Sequence, residues 1–380
     1  MTADRDFSRG GGVMTAPTTT PPAATPQPEK TSARGESLAS RLLRALLTQR
    51  IVLLAVLIVV VVVVFMINDA GGYLTAPYDF DYMSASLINA VPLAMLGLAE
   101  LLVILSGRGG IDLSVGAIVS LAGMVFGFAY GEWGWPLWAA ILLTVAFGGA
   151  CGALNGFLVA YVGFPALIAT LATFYAYKSL AIVINDQSPI STPPIQALFS
   201  ITRSVELPLF GEYVPDVPLG LFTFLLPTVL VVWVLLARTT YGRRLYGIGT
   251  NDVAARWSGL PVRGTRFKAY LYAGLISGLV AVITVAQFAS ARPDAGVTGN
   301  GMALPAITIA VLGGVAITGG IGRVAGVVLA TLLIVWLNAG ILLAFVGNEG
   351  SQYQLLALGA VLIFAALLNG LTVRRYGGAR

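Results

Sequence analysis

Ten long apolar stretches, separated by charged connectors, constrain this chain more than any other feature. They run over residues 51–67, 85–106, 113–130, 136–161, 165–185, 218–237, 269–288, 303–318, 324–346 and 353–371. A helix rises about 1.5 Å per residue, so roughly 20 apolar residues carry it across ~30 Å of hydrocarbon, where no water is present to satisfy an open backbone. With 57% hydrophobic and 10% charged residues and a mean hydropathy of +0.86, the chain has more apolar surface than one water-soluble core could hide. The expectation is an all-α, multi-pass membrane protein of about ten transmembrane helices, with the lipid bilayer as its solvent.

Charge in the connectors gives an orientation. If the N-terminus is cytoplasmic, the outer connectors collect Asp69, Asp79, Asp81, Glu132, Asp186, Glu206, Glu212, Asp216, Asp294 and Glu349 against Arg203 and Arg292. The inner ones collect the arginines up to Arg50, then Arg108, the cluster from Arg238 to Lys268, Arg323, Arg374, Arg375 and Arg380. Basic charge gathers on the cytoplasmic side of membrane proteins, so both termini are expected there. The formal net charge of +5 is then a topology signal spread over separate loops, and no nucleic-acid partner is expected.

Residues 1–40 are rich in Pro, Thr, Ala and Gly and read as a disordered cytoplasmic tail, ahead of a transmembrane domain over residues 41–376. The apolar run at Ile51 follows a long polar leader and ends without a small-residue cleavage site, so it is expected to remain as an uncleaved helix.

Absences narrow the chemistry. There is no histidine and one cysteine, Cys151, which excludes imidazole catalysis, His or multi-Cys metal sites and an intrachain disulfide. Lys30, Lys178 and Lys268 follow Glu, Tyr and Phe, so there is no Walker loop and the chain is not its own ATPase. An enzyme is not expected, nor a cofactor or metal in this chain. A polytopic protein without catalytic groups reads as a conduit.

Polar groups at membrane depth are costly and so are candidates for a pathway. Asn89, Asn155 and Gln287 offer donor and acceptor pairs to hydroxyl groups, and Phe174, Tyr175 and Tyr177 offer rings to the apolar faces of a sugar. Each amide fits helix-to-helix hydrogen bonding as well. Glu100 and Lys178 are the formal charges well inside apolar stretches; Lys178 reads as snorkelling outward, whereas Glu100 also fits a coupling carboxylate. Gly148, Gly152 and Gly156, like Gly274 and Gly278, recur every four residues and make smooth ridges, for packing inside one subunit or for a dimer seam.

Between the second and third stretches stands Ser106-Gly107-Arg108-Gly109-Gly110-Ile111-Asp112-Leu113-Ser114-Val115-Gly116. Glycines permit a tight turn, and Asp112 or Ser114 can accept hydrogen bonds from free amides at the next helix start. Within the 238–268 connector, which carries seven basic residues against Asp252 alone, Asn251 can cap a short helix through Asp252, Ala254, Ala255 and Trp257, with Gly259 and Pro261 stopping it.

With these residues in view, the chain resembles the permease subunits of bacterial ATP-binding-cassette (ABC) importers of the ribose, xylose and galactofuranose type. The resemblance rests on Gly109 to Gly116, Gly152 to Val159, Pro165 to Thr173, Gly249 to Gly259, Val311 to Gly314 and Gly319 to Arg323, in family order. It departs from the family at an inserted Gly107-Arg108 and at Pro305, where an Asp is common. The resemblance implies a subunit of the bacterial inner membrane that pairs with a second permease, identical or paralogous. It implies a separate cytoplasmic ATPase, which uses the ATP, and an extracytoplasmic binding protein that delivers a monosaccharide or related polyol. It implies a signature turn at Gly109, Gly110, Asp112, Ser114 and Gly116, and an ATPase coupling helix at Asn251, Asp252, Ala254, Ala255, Arg256 and Gly259. The outer loops 186–216, with a short helix near 194–201, and 290–300 are expected to receive the binding protein. The alternatives are a stand-alone ion-coupled carrier, or an ABC permease for a nucleoside, an autoinducer or a branched-chain amino acid.

Overall fold

The computed structural model describes residues 49–205, 215–297 and 301–376; the expected tail at 1–40 lies outside the described residues. The long helices are α1 (Arg50–Ala70), α3 (Ala90–Leu105), α4 (Val115–Phe126), α5 (Leu137–Phe157), α6 (Ala166–Val183), α8 (Leu226–Arg238), α11 (Val262–Phe288), α13 (Val324–Ala344) and α14 (Asn348–Tyr376). Shorter ones are α2 (Phe80–Ser86), α7 (Pro193–Ala197), α9 (Thr240–Thr250), α10 (Asp252–Trp257) and α12 (Ala303–Leu312). Widened π-type turns extend α4 to Glu132 and α5 to Val162, and another leads into α8 from Leu221. Two-residue strands β1 (Ser204–Val205) and β2 (Val217–Pro218) form one antiparallel pair, with Ser204 opposite Pro218.

Among the described residues, eight helices are long and apolar enough to cross a membrane, or nine if the pair α2 and α3, bent by 51°, counts as one span. The tenth apolar stretch, 303–318, is different. Only its first ten residues are helical, about 15 Å at the usual rise or half of what a crossing needs, because Gly313 and the left-handed Gly314 end α12. Apolarity alone could not distinguish this half-helix from a full crossing.

Burial sorts the helices into layers. Every residue of α3 except Leu93 is buried, so this helix, apolar all round, is the axis of the bundle. Leu54 alone is buried on α1; of its unbroken valines, Val59, Val60, Val63 and Val64 are exposed while Val61 and Val62 pack against the bundle. β-Branched residues are indifferent helix formers in water, but in hydrocarbon each backbone group must be satisfied within the segment, and that decides the conformation.

The closest packing is between α5 and α11. A Cβ added at Gly148 would lie 2.7 Å from the Gly278 Cα, and one at Gly152 would lie 2.8 Å from the Gly274 Cα and closer still to the Tyr270 carbonyl oxygen. The two glycine ridges therefore interlock inside one chain.

At one end of the bundle, α7 and the turn Leu198–Ile201 occupy the place expected for a surface helix. A bridge between Ile190 and Ala291, with Ser191 Oγ donating to the Ala289 carbonyl oxygen at 2.9 Å, ties the segment after α6 to the end of α11.

Candidate functional site

The turn after α3 is built from consecutive left-handed residues. Gly107, Arg108 and Gly109 have φ of 77°, 58° and 65°. The inserted Gly107-Arg108 pair thus lengthens a left-handed bend, and Arg108, the non-glycine member, points into solvent. The bend sends the chain back into the bundle. Asp112 reaches the level of Glu100, more than a turn before the end of α3, and its backbone N–H donates to Glu100 Oε2 at 3.3 Å.

Asp112 then organises a polar knot. Its Oδ1 accepts from the Ser114 N–H at 2.9 Å and the Ser114 hydroxyl at 2.6 Å, and its carboxylate accepts from Asn155 Nδ2 at 3.3 Å. Asn155 Nδ2 also donates to Ser114 Oγ at 2.7 Å. Glu100, Asp112, Ser114 and Asn155 are all fully buried. Ser106 Oγ, Glu100 Oε1, Asn155 Oδ1 and the Tyr270 hydroxyl have no hydrogen-bond partner among the described residues, although the Tyr270 hydroxyl lies within electrostatic reach of Asp112, Glu100 and Arg266. An unmet buried polar atom costs ~1–3 kcal/mol, so the knot holds polar capacity that another arrangement of these helices could satisfy.

The expected coupling helix forms as α10. Asn251 Oδ1 accepts from the N–H groups of Val253 and Ala254 at 3.1 and 2.9 Å, and Gly259, at φ 76°, ends the segment. Ala255 faces inward, while Ala254, Arg256, Val253 and Trp257 are exposed, Trp257 to 87%. Asp252 pairs with exposed Arg256 at 3.5 Å and with buried Arg266 at 2.8 Å.

Arg266 is the residue that sequence reasoning missed. It sits in the first turns of α11, counted there only as one of seven basic residues. In the fold its guanidinium donates both to Asp252 Oδ1 and to the Ser106 carbonyl oxygen, the latter at 3.0 Å. One side chain therefore ties α10 to the start of the glycine turn. No spacing in the sequence announces a pairing 160 residues apart.

A second tie is made of backbone. Gly107, Gly249 and Gly319 meet where the turn, the end of α9 and the loop after α12 converge. A Cβ added at Gly107 would lie 3.0 Å from the Gly249 Cα, while one at Gly249 would collide with the Leu105 carbonyl oxygen and one at Gly319 with the Gly107 Cα. The Gly320 N–H donates to the Leu105 carbonyl oxygen at 3.2 Å. Tyr246 donates to the Gly322 carbonyl oxygen at 2.8 Å, and burial raises its hydroxyl pKa against the lowering effect of Arg323.

The far side of the turn meets the opposite connector. Gly116 lies against Gly296, whose N–H donates to the buried Ser120 hydroxyl at 2.9 Å. The chain after α11 thus pairs with Ile190 at the buried Ala291 and, five residues later, reaches α4 at Gly296.

The remaining candidates are dispersed. Gln287 Nε2 donates to the Ile88 carbonyl oxygen at 2.9 Å, which satisfies the backbone where α2 and α3 are broken. Asn89 stands exposed at that break. Phe174 and Tyr175 form an edge contact on α6, with Tyr175 exposed, and Lys178 Nζ lies over the Phe174 ring at 5.9 Å. Tyr177 is buried and donates to the Cys151 carbonyl oxygen at 3.0 Å. Asn155 is in the knot, and Gly109 and Gly110 are in the bend. No group of three or more metal-binding side chains occurs among the described residues.

Over residues 82–366 the chain matches the family described as the permease component of the branched-chain amino acid transport system. It is 33% identical over 300 residues to the autoinducer 2 import system permease protein LsrD of Klebsiella pneumoniae subsp. pneumoniae, covering 78% of this chain and 86% of the relative. LsrD of Photorhabdus luminescens and of Yersinia pseudotuberculosis serotype O:1b are 33% identical over the same length and coverage. No solved structure matches. Family membership decides against a carrier that works alone, since such permeases work with ATPase and binding-protein partners. The chain belongs to this family of ABC transporter permeases: it is a multi-pass membrane transport subunit and not an enzyme.

Proposed function

We propose that this chain is one permease subunit of an ATP-driven importer for a small, uncharged, hydroxylated solute, a monosaccharide or related polyol. It dimerises with a second permease chain, identical or paralogous, in the bacterial inner membrane, with both termini and α10 in the cytoplasm. The expected tail at 1–40 belongs to the same side. The basic connectors support this orientation.

The observation that carries the reading is the Arg266 bridge. A cytoplasmic motor that grips the exposed Val253 and Trp257 of α10 moves Asp252. Through Arg266 it pulls on the Ser106 carbonyl, and so on the bend that carries Asp112. From there Gly116 and Ser120 lead to Gly296 and to the buried Ala291–Ile190 bridge, beside the exposed Ser191 of the loop on which a binding protein docks. Motion at one face thus has a packed route to the other.

A second reading of the substrate is favoured by the relatives: LsrD proteins are named for autoinducer 2 import, and what the binding protein carries distinguishes the two readings. The test is reconstitution with the ATPase, second permease and binding protein encoded nearby. ATP hydrolysis stimulated by the sugar-loaded binding protein supports the main reading; stimulation by autoinducer 2 alone supports the second. Absence of stimulation by any loaded binding protein sinks both.

A further inference from the structure

A cavity of about 480 Å³ opens between the broken crossing α2–α3 and the pair α13 and α14, away from the polar knot. Its polar lining includes Ser86, Asn89, Asn338 and Gln354, and its apolar walls include Leu93 and Leu342. Its volume falls in the ~300–1,000 Å³ range of small-molecule sites.

Gln354 Nε2 donates to the Asn338 carbonyl oxygen at 3.1 Å, which fixes α14 against α13 and leaves Gln354 Oε1 unused. The side-chain amides of Asn89 and Asn338 make no hydrogen bond to any described residue. Two complete amides, at Asn89 and Asn338, and a third carbonyl oxygen, at Gln354, are therefore brought to one cavity by the α2–α3 break, α13 and α14. The break reaches the cavity at Asn89, and irregular backbone of this kind is tolerated in membrane proteins where it lines a cavity.

The lining selects an occupant. No Asp, Glu, Lys or Arg borders the cavity, so an ion would find no countercharge. A lipid tail would leave the amides unmet. Amides flanked by Leu93 and Leu342 match a solute with hydroxyls on its edges and carbon on its faces. We infer that this cavity is a solute-binding vestibule within a single permease subunit, specific for an uncharged hydroxylated solute and reached from the binding-protein side. The inference rests on the import reading and adds the place where the solute pauses.

The single cysteine makes the test direct, because Cys151 is buried. In a Cys151→Ser background, single cysteines are placed at Asn89, Asn338 and Gln354, with Leu356→Cys on the exposed face of α14 as the lipid-facing control. The assembled transporter in proteoliposomes is treated from the binding-protein side with a charged, membrane-impermeant methanethiosulfonate reagent. Uptake of D-ribose, D-xylose and erythritol by the unmodified transporter is measured separately and reports on the import reading alone.

Reaction at all three positions at least tenfold faster than at Leu356→Cys is expected. Where a panel solute is taken up, that solute should slow the reaction at Asn89 and Asn338 by threefold or more. Reaction no faster than at the control overturns the vestibule even if uptake is intact, and so does fast reaction that a transported solute leaves unchanged. If no panel solute is taken up, the sugar reading fails, and fast or slow reaction still decides whether the cavity is a water-filled entry.

Discussion

Two regions of this molecule are built on glycine and use it in opposite ways. In the α5–α11 seam, Gly148, Gly152, Gly274 and Gly278 are helical and bring two helix backbones together along their length. At the junction of Gly107, Gly249 and Gly319, two of the three glycines are left-handed, and the close approach joins ends of segments beside a knot with unmet polar atoms. The seam is closed by backbone contact along two helices. The junction is closed by a few contacts between segment ends, and the Arg266 bridge to the Ser106 carbonyl oxygen lies beside it.

The largest effect is expected from breaking the seam. Gly152→Leu forces a side chain into the Tyr270 carbonyl and the Gly274 backbone, neither of which can swing aside, so the clash exceeds the ~1–3 kcal/mol of ordinary core overpacking; detergent-solubilised protein should elute as aggregate on size exclusion. A monodisperse, transport-competent variant would show that the seam is soft. Next comes Arg266→Ala, which leaves Asp252 and the Ser106 carbonyl without their partner. Breaking such a pair costs ~3–5 kcal/mol when it is buried and less at Asp252, which keeps some exposure. The expected signature is an assembled transporter whose ATP hydrolysis no longer responds to loaded binding protein; retained response would remove the bridge from the proposed route.

Asn155→Ala should lower stability by ~1–3 kcal/mol through lost donors to Asp112 and Ser114, read as a lower thermal midpoint. Equal stability would mean that the knot has a ready substitute for the amide. A smaller loss, ~1 kcal/mol, is expected for Asn251→Ala, the cap of α10, with ATPase affinity as the sharper readout. Trp257→Ala should leave the melting temperature alone and weaken only ATPase binding, since the ring is exposed. A fall in stability there would place the ring against the membrane domain.

Much of the fold was legible in the sequence because lipid imposes a simple rule: an apolar run must become helix. Nine of the ten stretches follow it with small shifts of boundary, and α7 and α10 form where Pro, Asn and Gly mark them. The half-helix α12 was not legible, because its missing half is still apolar and its end depends on what Gly313 and Gly326 pack against. The site was legible in pieces. The turn and α10 carried local signals, and both glycine ridges were visible as spacing. Their connection was not, because Arg266, Gly249, Gly296 and Gly319 acquire meaning only from contacts between distant segments.

The shortness of α12 bears on how the protein is made. A segment of about 15 Å is a poor independent crossing, and the stretch leading into it borrows its hydrogen-bond partner from Ser120 and its seat from Gly116. It therefore has no settled place in the bilayer until α4 is already there to receive it. Late-emerging chain is then expected to dock beside early-inserted chain, and substitutions at Gly116 or Gly296 are expected to surface as a protease-sensitive assembly intermediate.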